Sequence, residues 1–362
     1  MLELYIGVMS GTSLDGIDIS LCEIDGSVCK ELLNAEYNYD AKIKEDVLHA
    51  IKNPISLKQL GELNHHLALS YSQAINTFLK TNSLASSSIK AIGLHGQTLW
   101  HEPNSATPFS MQLGDASLVS KLTGIDVVSD FRSADIALGG EGAPLTPAFH
   151  KYMFDAKGKN VAVLNLGGIA NLSIIGDKLL GFDTGPANIL MDLWTQKSLG
   201  KSYDAKGVFA KSGSLDERLL KRFLDEIFFR KKAPKSTGRE LFNEAWLEEK
   251  LLGLSLDAKD VQATLLELSI ITIKNELIKF KVDELLVCGG GSKNEYMMSR
   301  LDEELKNIVV TTTDEVGVNS DSLEAMAFAW FAYKRVQKQV VELKDVTGAS
   351  RDGVLGAVYA HN

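Results

Sequence analysis

Three glycine-rich turns, each set directly behind an apolar run, constrain this chain more than any other feature. The first, Gly11-Thr12-Ser13-Leu14-Asp15-Gly16, lies between Leu4 to Val8 and a second alternating run, Ile17 to Ile24. Two such runs joined by a short glycine-bearing turn predict a β-hairpin. The second turn, Gly167-Gly168, joins Val161–Leu166 to Ala170–Ile175 and predicts another hairpin of the same kind, although the two sequences are not visibly similar. The third, Gly289-Gly290-Gly291-Ser292, ends the buried strand Glu284 to Cys288 and leads to a helix from Glu295. Around these turns, helical periodicity is expected in 41–82, 116–122, 189–196, 214–229, 240–253, 260–279 and 322–335, with short strands at 91–94, 125–128 and 309–311. This mixture predicts an α/β fold. At 362 residues the chain is long enough for two domains on a prior of ~100–200 residues each. No low-complexity linker separates them, and a boundary is expected near Asp130.

A glycine turn lets backbone N–H groups approach an anion, and Thr and Ser hydroxyls add donors. Any one such turn alone reads first as a tight hairpin. Three in one chain favour a phosphate-clamping arrangement between duplicated domains. No Lys follows the first loop, which excludes a P-loop, and the absence of G-x-G-x-x-G weakens a Rossmann reading. Asp183, in Gly181-Phe182-Asp183-Thr184-Gly185-Pro186, is the best candidate for a general base. An Asx-turn or helix N-cap before Ala187 explains it equally well. Asp15 and Asp18 suit either turn capping or a water-mediated Mg²⁺ contact.

The other candidates are weaker on local sequence. Arg132 suits a bidentate carboxylate grip, but an exposed ion pair with Asp130 or Asp135 is the more ordinary use. His95 stands at a strand end, where ligands often bind, yet a satisfied structural histidine is commoner. Glu324 is explained by a capping box with Asp321, the sharper alternative being a carboxylate facing a cleft. The seven His and three Cys show no metal-ligand spacing.

The net charge of −9 disfavours nucleic acid and anionic membranes as partners. The one dense basic stretch, Arg230, Lys231, Lys232, Lys235 and Arg239, reads as a solvated helix end. Scattered Cys22, Cys29 and Cys288 suit a reducing cytosol. The N-terminus lacks a signal peptide's basic and apolar regions, and no apolar run reaches the ~18 residues of a membrane span. A cytoplasmic protein is expected.

Taken together, the motifs resemble the anhydro-N-acetylmuramic acid kinases of the sugar kinase/heat-shock chaperone/actin superfamily. The likeness runs end to end. It rests on Met9 to Gly16, Gly96-Gln97-Thr98, Trp100 to Pro103, Asp130-Phe131-Arg132, Ala137 to Gly140, Gly142 to Leu145 and Leu166 to Asn171. Asp183 to Pro186, Lys235 to Glu240, Asp260 to Thr264, Val287 to Ser292 and Glu324-Ala325 complete it. The resemblance implies two actin-like (ribonuclease H-like) α/β domains closing on an ATP cleft, domain I being 1–130 with about 345–362 and domain II 131–344. It places Gly11, Thr12, Ser13, Leu14, Asp15, Gly16, Ile17, Asp18, Gly167, Gly168 and Asn171 at the phosphates of ATP. Gly289, Gly290, Gly291 and Ser292 would face the adenosine, and Mg²⁺ would bind through phosphates and water. His95, Gln97, Arg132 and Glu324 are expected at the sugar, and Asp183 matches the family's catalytic base. The implied reaction opens the 1,6-anhydro ring of anhydro-N-acetylmuramic acid and phosphorylates its 6-oxygen in bacterial cell-wall recycling, by a homodimeric enzyme. Two other classes stay in view. An ordinary sugar or acyl-phosphate kinase would use ATP without ring opening, and a chaperone-type ATPase would need a peptide-binding domain for which the 362 residues leave no room.

Overall fold

The computed structural model describes residues 2–11, 14, 16–156 and 158–362. Thr12, Ser13 and Asp15 of the first glycine loop lie outside the described residues. The chain divides into two compact units, Met1–Phe149 with Ser322–Asn362, and His150–Asp321.

In the first unit, β1 (Glu3–Met9), β2 (Ile17–Ile24) and β3 (Cys29–Tyr37) form an antiparallel meander. On the other side of β1, β4 (Ile89–Leu94) pairs in parallel, while β5 (Gln97–Glu102) and β6 (Phe109–Leu113) make a separate hairpin. Strand β7 (Val127–Ser129) follows parallel to β4, and the C-terminal strand Ala357–Tyr359 closes that edge antiparallel to β7. In the second unit, β8 (Val161–Leu166), β9 (Ile169–Ile175) and β10 (Leu179–Pro186) form a second antiparallel meander. Strand β11 (Glu284–Cys288) pairs in parallel with β8, and β12 (Val309–Thr312) with β11. Both sheets therefore place the third, second and first strands of a meander beside two parallel strands. This is the actin-like, ribonuclease H-like order, present twice.

Both expected hairpins form, β1–β2 and β8–β9. Strands β3, β5, β6 and β10 were not expected. Strand β3 is a sheet edge whose side chains are mostly exposed, so it carries little apolar alternation. Strand β10 is also an edge, and an edge strand tolerates the Gly and Pro that read as a turn. The helical region 41–82 breaks at Pro54 into Ala41–Lys52 and Leu57–Thr81, because a residue before proline leaves the α region. The second helix starts with a Ser56/Gln59 capping box.

Helix Leu323–Val336 explains where the units part. Ten of its fourteen residues are buried. It lies so close to β1 and β4 that a Cβ on Gly7 would stand 1.8 Å from the Ala325 carbonyl oxygen, and one on Gly93 1.9 Å from that of Phe328. Gly7 and Gly93 face each other in register, giving the helix a flat patch to rest on. Tyr5 meets Tyr333, and Phe131 meets Phe328 and Phe331. Leu57–Thr81 covers the opposite face, packing Leu67, Tyr71 and Phe78 with Ile6 and Val8 in one core. The expected cuts near 130 and 344 thus differ from the unit limits at 149 and 321, because this buried helix belongs to the first sheet. Among the described residues no helix is long and apolar enough to cross a membrane.

Candidate active site

The candidate residues fall into two groups, one in each unit. In the second unit they gather around Asp183. This residue lies inside strand β10, where Phe182 turns into the core and Asp183 alternates to the other face. It is neither in a turn nor a helix cap, since the helix Asn188–Leu199 is preceded by Ala187 with no side-chain cap bond. Sheet register sets Asn165, Asn171 and Asp183 side by side across β8, β9 and β10. Asn171 Nδ2 donates to Asp183 Oδ1 at 2.9 Å. Asn171, expected at the phosphates, therefore spends its amide on the carboxylate. Oδ2 accepts from Ser236 Oγ at 3.1 Å and from the Thr237 backbone N–H at 2.9 Å. Burial pushes the Asp183 carboxyl above its ordinary value, opposed by these three donors and assisted by the nearby Glu240 carboxylate. A carboxylate that is partly exposed, oriented and of raised proton affinity suits a base.

The segment that supplies Ser236 and Thr237 was noted in the sequence only as part of the Lys235 to Glu240 motif, with no role given to its residues. Lys235, expected on a solvated helix end, is buried and paired with Glu276 at 2.7 Å. The available signal was Glu276 itself, a carboxylate three residues after Ile273 on the buried side of helix Ala258–Leu277.

The two glycine turns of this unit are adjacent. The carbonyls of Gly167 and Gly168 accept from Asn188, Ala187 and Ile189 at the start of the following helix. Gly289 (φ 78°) and Gly291 abut the end of β8, where a Cβ would meet Asn165 Oδ1 at 2.3 Å and Leu166 Cβ at 2.6 Å. Gly290 faces open space. Ser292 Oγ closes the turn onto the Gly289 carbonyl at 2.7 Å. Close packing thus accounts for two of these glycines, and Gly290 is the one with room beside it.

In the first unit, the β1–β2 turn is held from behind. Gln97 is fully buried, its Oε1 accepting from Ser10 Oγ at 2.5 Å and its Nε2 reaching the Gly11 carbonyl at 3.4 Å. Tyr39 donates to Ser10 Oγ at 2.6 Å. Gln97, expected at the sugar, is in this arrangement a strut for the glycine turn. Leu14 and Ile17 are each 1% exposed, so their side chains are closed to a ligand. Gly16 lies against the Glu36 side chain of β3, and Asp18 is partly exposed on β2.

Arg132 is not an exposed ion pair with Asp130, whose carboxylate accepts from Ser133 Oγ. It is half-buried, and its Nη1 donates to the Gly142 carbonyl at 2.7 Å while Nη2 lies 2.9 Å from His95 Nε2. A guanidinium can only donate, so Nε2 must carry the lone pair and His95 must be neutral. Burial, together with the Arg132 charge, holds the His95 pKa well below its usual value. Burial also lowers the Arg132 guanidinium to about 10, against the supporting charges of Glu324 and Asp135. His95 is 4% exposed and rests on Phe328, a second-layer position that fits support of Arg132. Glu324 is on the same helix as Phe328, but the capping box does not form, because the N-cap is Ser322 and Asp321 pairs with Lys293.

The family model described as anhydro-N-acetylmuramic acid kinase matches residues 3–361. The chain belongs to this family. Proteins named anhydro-N-acetylmuramic acid kinase are similar to it along their whole length. The one from Sulfurimonas denitrificans is 52% identical over 99% of this chain and 100% of that protein. The one from Sulfurovum sp. is 48% identical over 99% of each, and the one from Aliivibrio fischeri 45% identical over 100% of each. The family is a kinase family, so the first fact to explain about the two groups is how they would serve ATP and a sugar.

Proposed function

We propose that this protein opens the 1,6-anhydro ring of anhydro-N-acetylmuramic acid with water and phosphorylates the freed 6-oxygen from ATP. The products are N-acetylmuramic acid 6-phosphate and ADP, formed in the cytoplasm during peptidoglycan recycling. The observation that carries this reading is the Asp183 carboxylate, held by three donors and raised in proton affinity by burial. It takes a proton from a water whose oxygen attacks the anomeric carbon. The anomeric carbon–6-oxygen bond breaks, and that oxygen attacks the γ-phosphorus as ADP leaves. Leaving group and phosphoryl acceptor are one atom, so positioning supplies much of the rate. In each unit the glycine turn, at Gly11 or at Gly167-Gly168, offers backbone N–H groups suited to phosphate oxygens. A Mg²⁺ ion takes one or two carboxylates plus phosphates, and Asp18, partly exposed beside the first turn, fits a water-mediated contact to it. When bound, that ion neutralises charge on the phosphates.

Incubation with Mg·ATP and the anhydro sugar in ¹⁸O-water tests the reading. Label is expected at the anomeric hydroxyl and not in the transferred phosphate. Unlabelled sugar phosphate would identify an ordinary kinase, and label in phosphate alone an ATPase.

The Arg132 fork, aimed by Gly142 and His95, binds the lactyl carboxylate of the sugar. Arg132→Lys keeps the charge and loses the fork. Its sugar KM should rise about tenfold or more, since a hydrogen bond to a charged group contributes ~1.5–3 kcal/mol. If Arg132→Lys and Arg132→Ala both leave sugar KM unchanged, Arg132 is structural and the carboxylate is bound elsewhere.

A further inference from the structure

Asp183 Oδ1 is held from a strand, but Oδ2 is held from a loop. A loop can fix a carboxylate only if something fixes the loop. We infer that Lys235, anchored on Glu276, is a positioning residue that holds the 235–237 segment against Asp183 and so sets the orientation of the base; this rests on the reading of Asp183 given above.

The Lys235 and Glu276 side chains are 2% and 3% exposed and meet at 2.7 Å. The second Glu276 oxygen accepts from Lys279 Nζ at 2.6 Å, and Lys235 Nζ also stands 4.8 Å from the centre of the Phe228 ring. Burying an ion pair costs desolvation that the attraction seldom exceeds, so fold stability is a poor reason for its presence. Its effect on the main chain is a better one. The Lys235 carbonyl accepts from the Asp183 N–H at 2.9 Å, as if extending the sheet beyond its edge strand. The next two residues then deliver the donors to Oδ2, and the first of them, Ser236, is exposed. Lys235 is therefore the buried root of a segment whose tip grips the carboxylate. Without that root Oδ2 loses its donors while Asn171 keeps Oδ1, and the carboxylate is free to rotate. The groups facing Asp183 are Asn171 from β9, Ser236 and Thr237 from the segment, and the Glu240 carboxylate. Loss of Ser236 and Thr237 removes two donors that favour the charged form, while a loosened segment admits water and carries Glu240 away, so the Asp183 titration must move from its wild-type position.

The test compares the full-length wild type with Lys235→Met and with Lys235→Met/Glu276→Leu, the double variant leaving no buried charge unpaired in the pair itself. Circular dichroism checks the fold. Both variants should lose about 10–100-fold in kcat, the scale of a misplaced reacting group, with ATP KM little changed. The Asp183 carboxyl, followed by ¹³C NMR and assigned with Asp183→Asn, should titrate at a pH displaced from that of the wild type. A folded double variant with an unshifted Asp183 titration overturns the inference, whatever happens to kcat. If Asp183→Asn retains activity, the reading of Asp183 as base falls, and the titration still decides positioning: a shift supports it and no shift overturns it.

Discussion

Asp183→Asn should give a folded protein that binds ATP and sugar but turns over about 10²–10⁴ more slowly, the usual worth of a general base. The upper end is expected because water is a poor nucleophile. The structure shows why the fold should survive. Asn has the size of Asp, and its oxygen can accept from Ser236 and Thr237 where Asp183 Oδ2 now does. Its amide nitrogen would then face Asn171, whose own amide can rotate to present oxygen. Ring opening and phosphorylation should fall together, since one oxygen links them. Linkage gives a second readout. Because burial raises the folded-state pKa of Asp183, its ionisation weakens the fold as pH rises through that value. The melting temperature of Asp183→Asn at neutral pH should therefore not fall below that of the wild type. The same raised pKa places the acid limb of the wild-type kcat/KM profile above the ~3.9 of an ordinary aspartate. Near-normal kcat in a folded variant would make Asp183 structural, with Glu324 the next carboxylate to test.

The sequence carried the two hairpins because each is an apolar run, a glycine turn and a second apolar run, signals that depend on neighbours only. It did not carry β10, because its Phe182-Asp183-Thr184-Gly185-Pro186 segment obeys the sheet edge it joins rather than its own turn propensity. Asp183 was legible as a candidate base, but the structure alone removes its N-cap alternative. Lys235 was read as solvent-facing because five basic residues crowd 230–239. Its burial depends on Glu276, 41 positions away, and no local pattern reports such a pairing. Gln97 and Asn171 show the same limit from the other side. Both sit in the motifs that suggested ligand contacts, yet their amides bond to Ser10 and to Asp183. The motifs show which residues to consider, while the hydrogen bonds each side chain already makes are visible only in three dimensions.

Gly7→Ala and Gly93→Ala are expected to destabilise the first unit more than any surface substitution can. A Cβ at either position falls less than 2 Å from a backbone oxygen of helix Leu323–Val336, at Ala325 and Phe328 respectively. No rotamer change relieves a clash with backbone, so the helix must lift from β1 and β4. Overpacking usually costs 1–3 kcal/mol and occasionally more; a rigid shift of a buried helix should reach about 3 kcal/mol. That is a large share of the ~5–15 kcal/mol that stabilises a typical domain, and it corresponds to a fall in Tm of about 6–12 °C. Gly61 supplies the control. It lies in helix Leu57–Thr81 with nothing within 4 Å of an added Cβ, so Gly61→Ala should raise stability by about 0.5–1 kcal/mol. Calorimetry on the three variants separates the cases. A Gly93→Ala protein that melts with the wild type would mean that the helix does not rest on β4 as closely as described. The helix also carries Glu324 and the Phe328 ring, which packs 4.7 Å from His95, and His95 in turn accepts from Arg132. Lifting it should therefore raise the sugar KM of any Gly93→Ala protein that remains folded, in the same direction as Arg132→Lys, while Gly61→Ala leaves that KM unchanged.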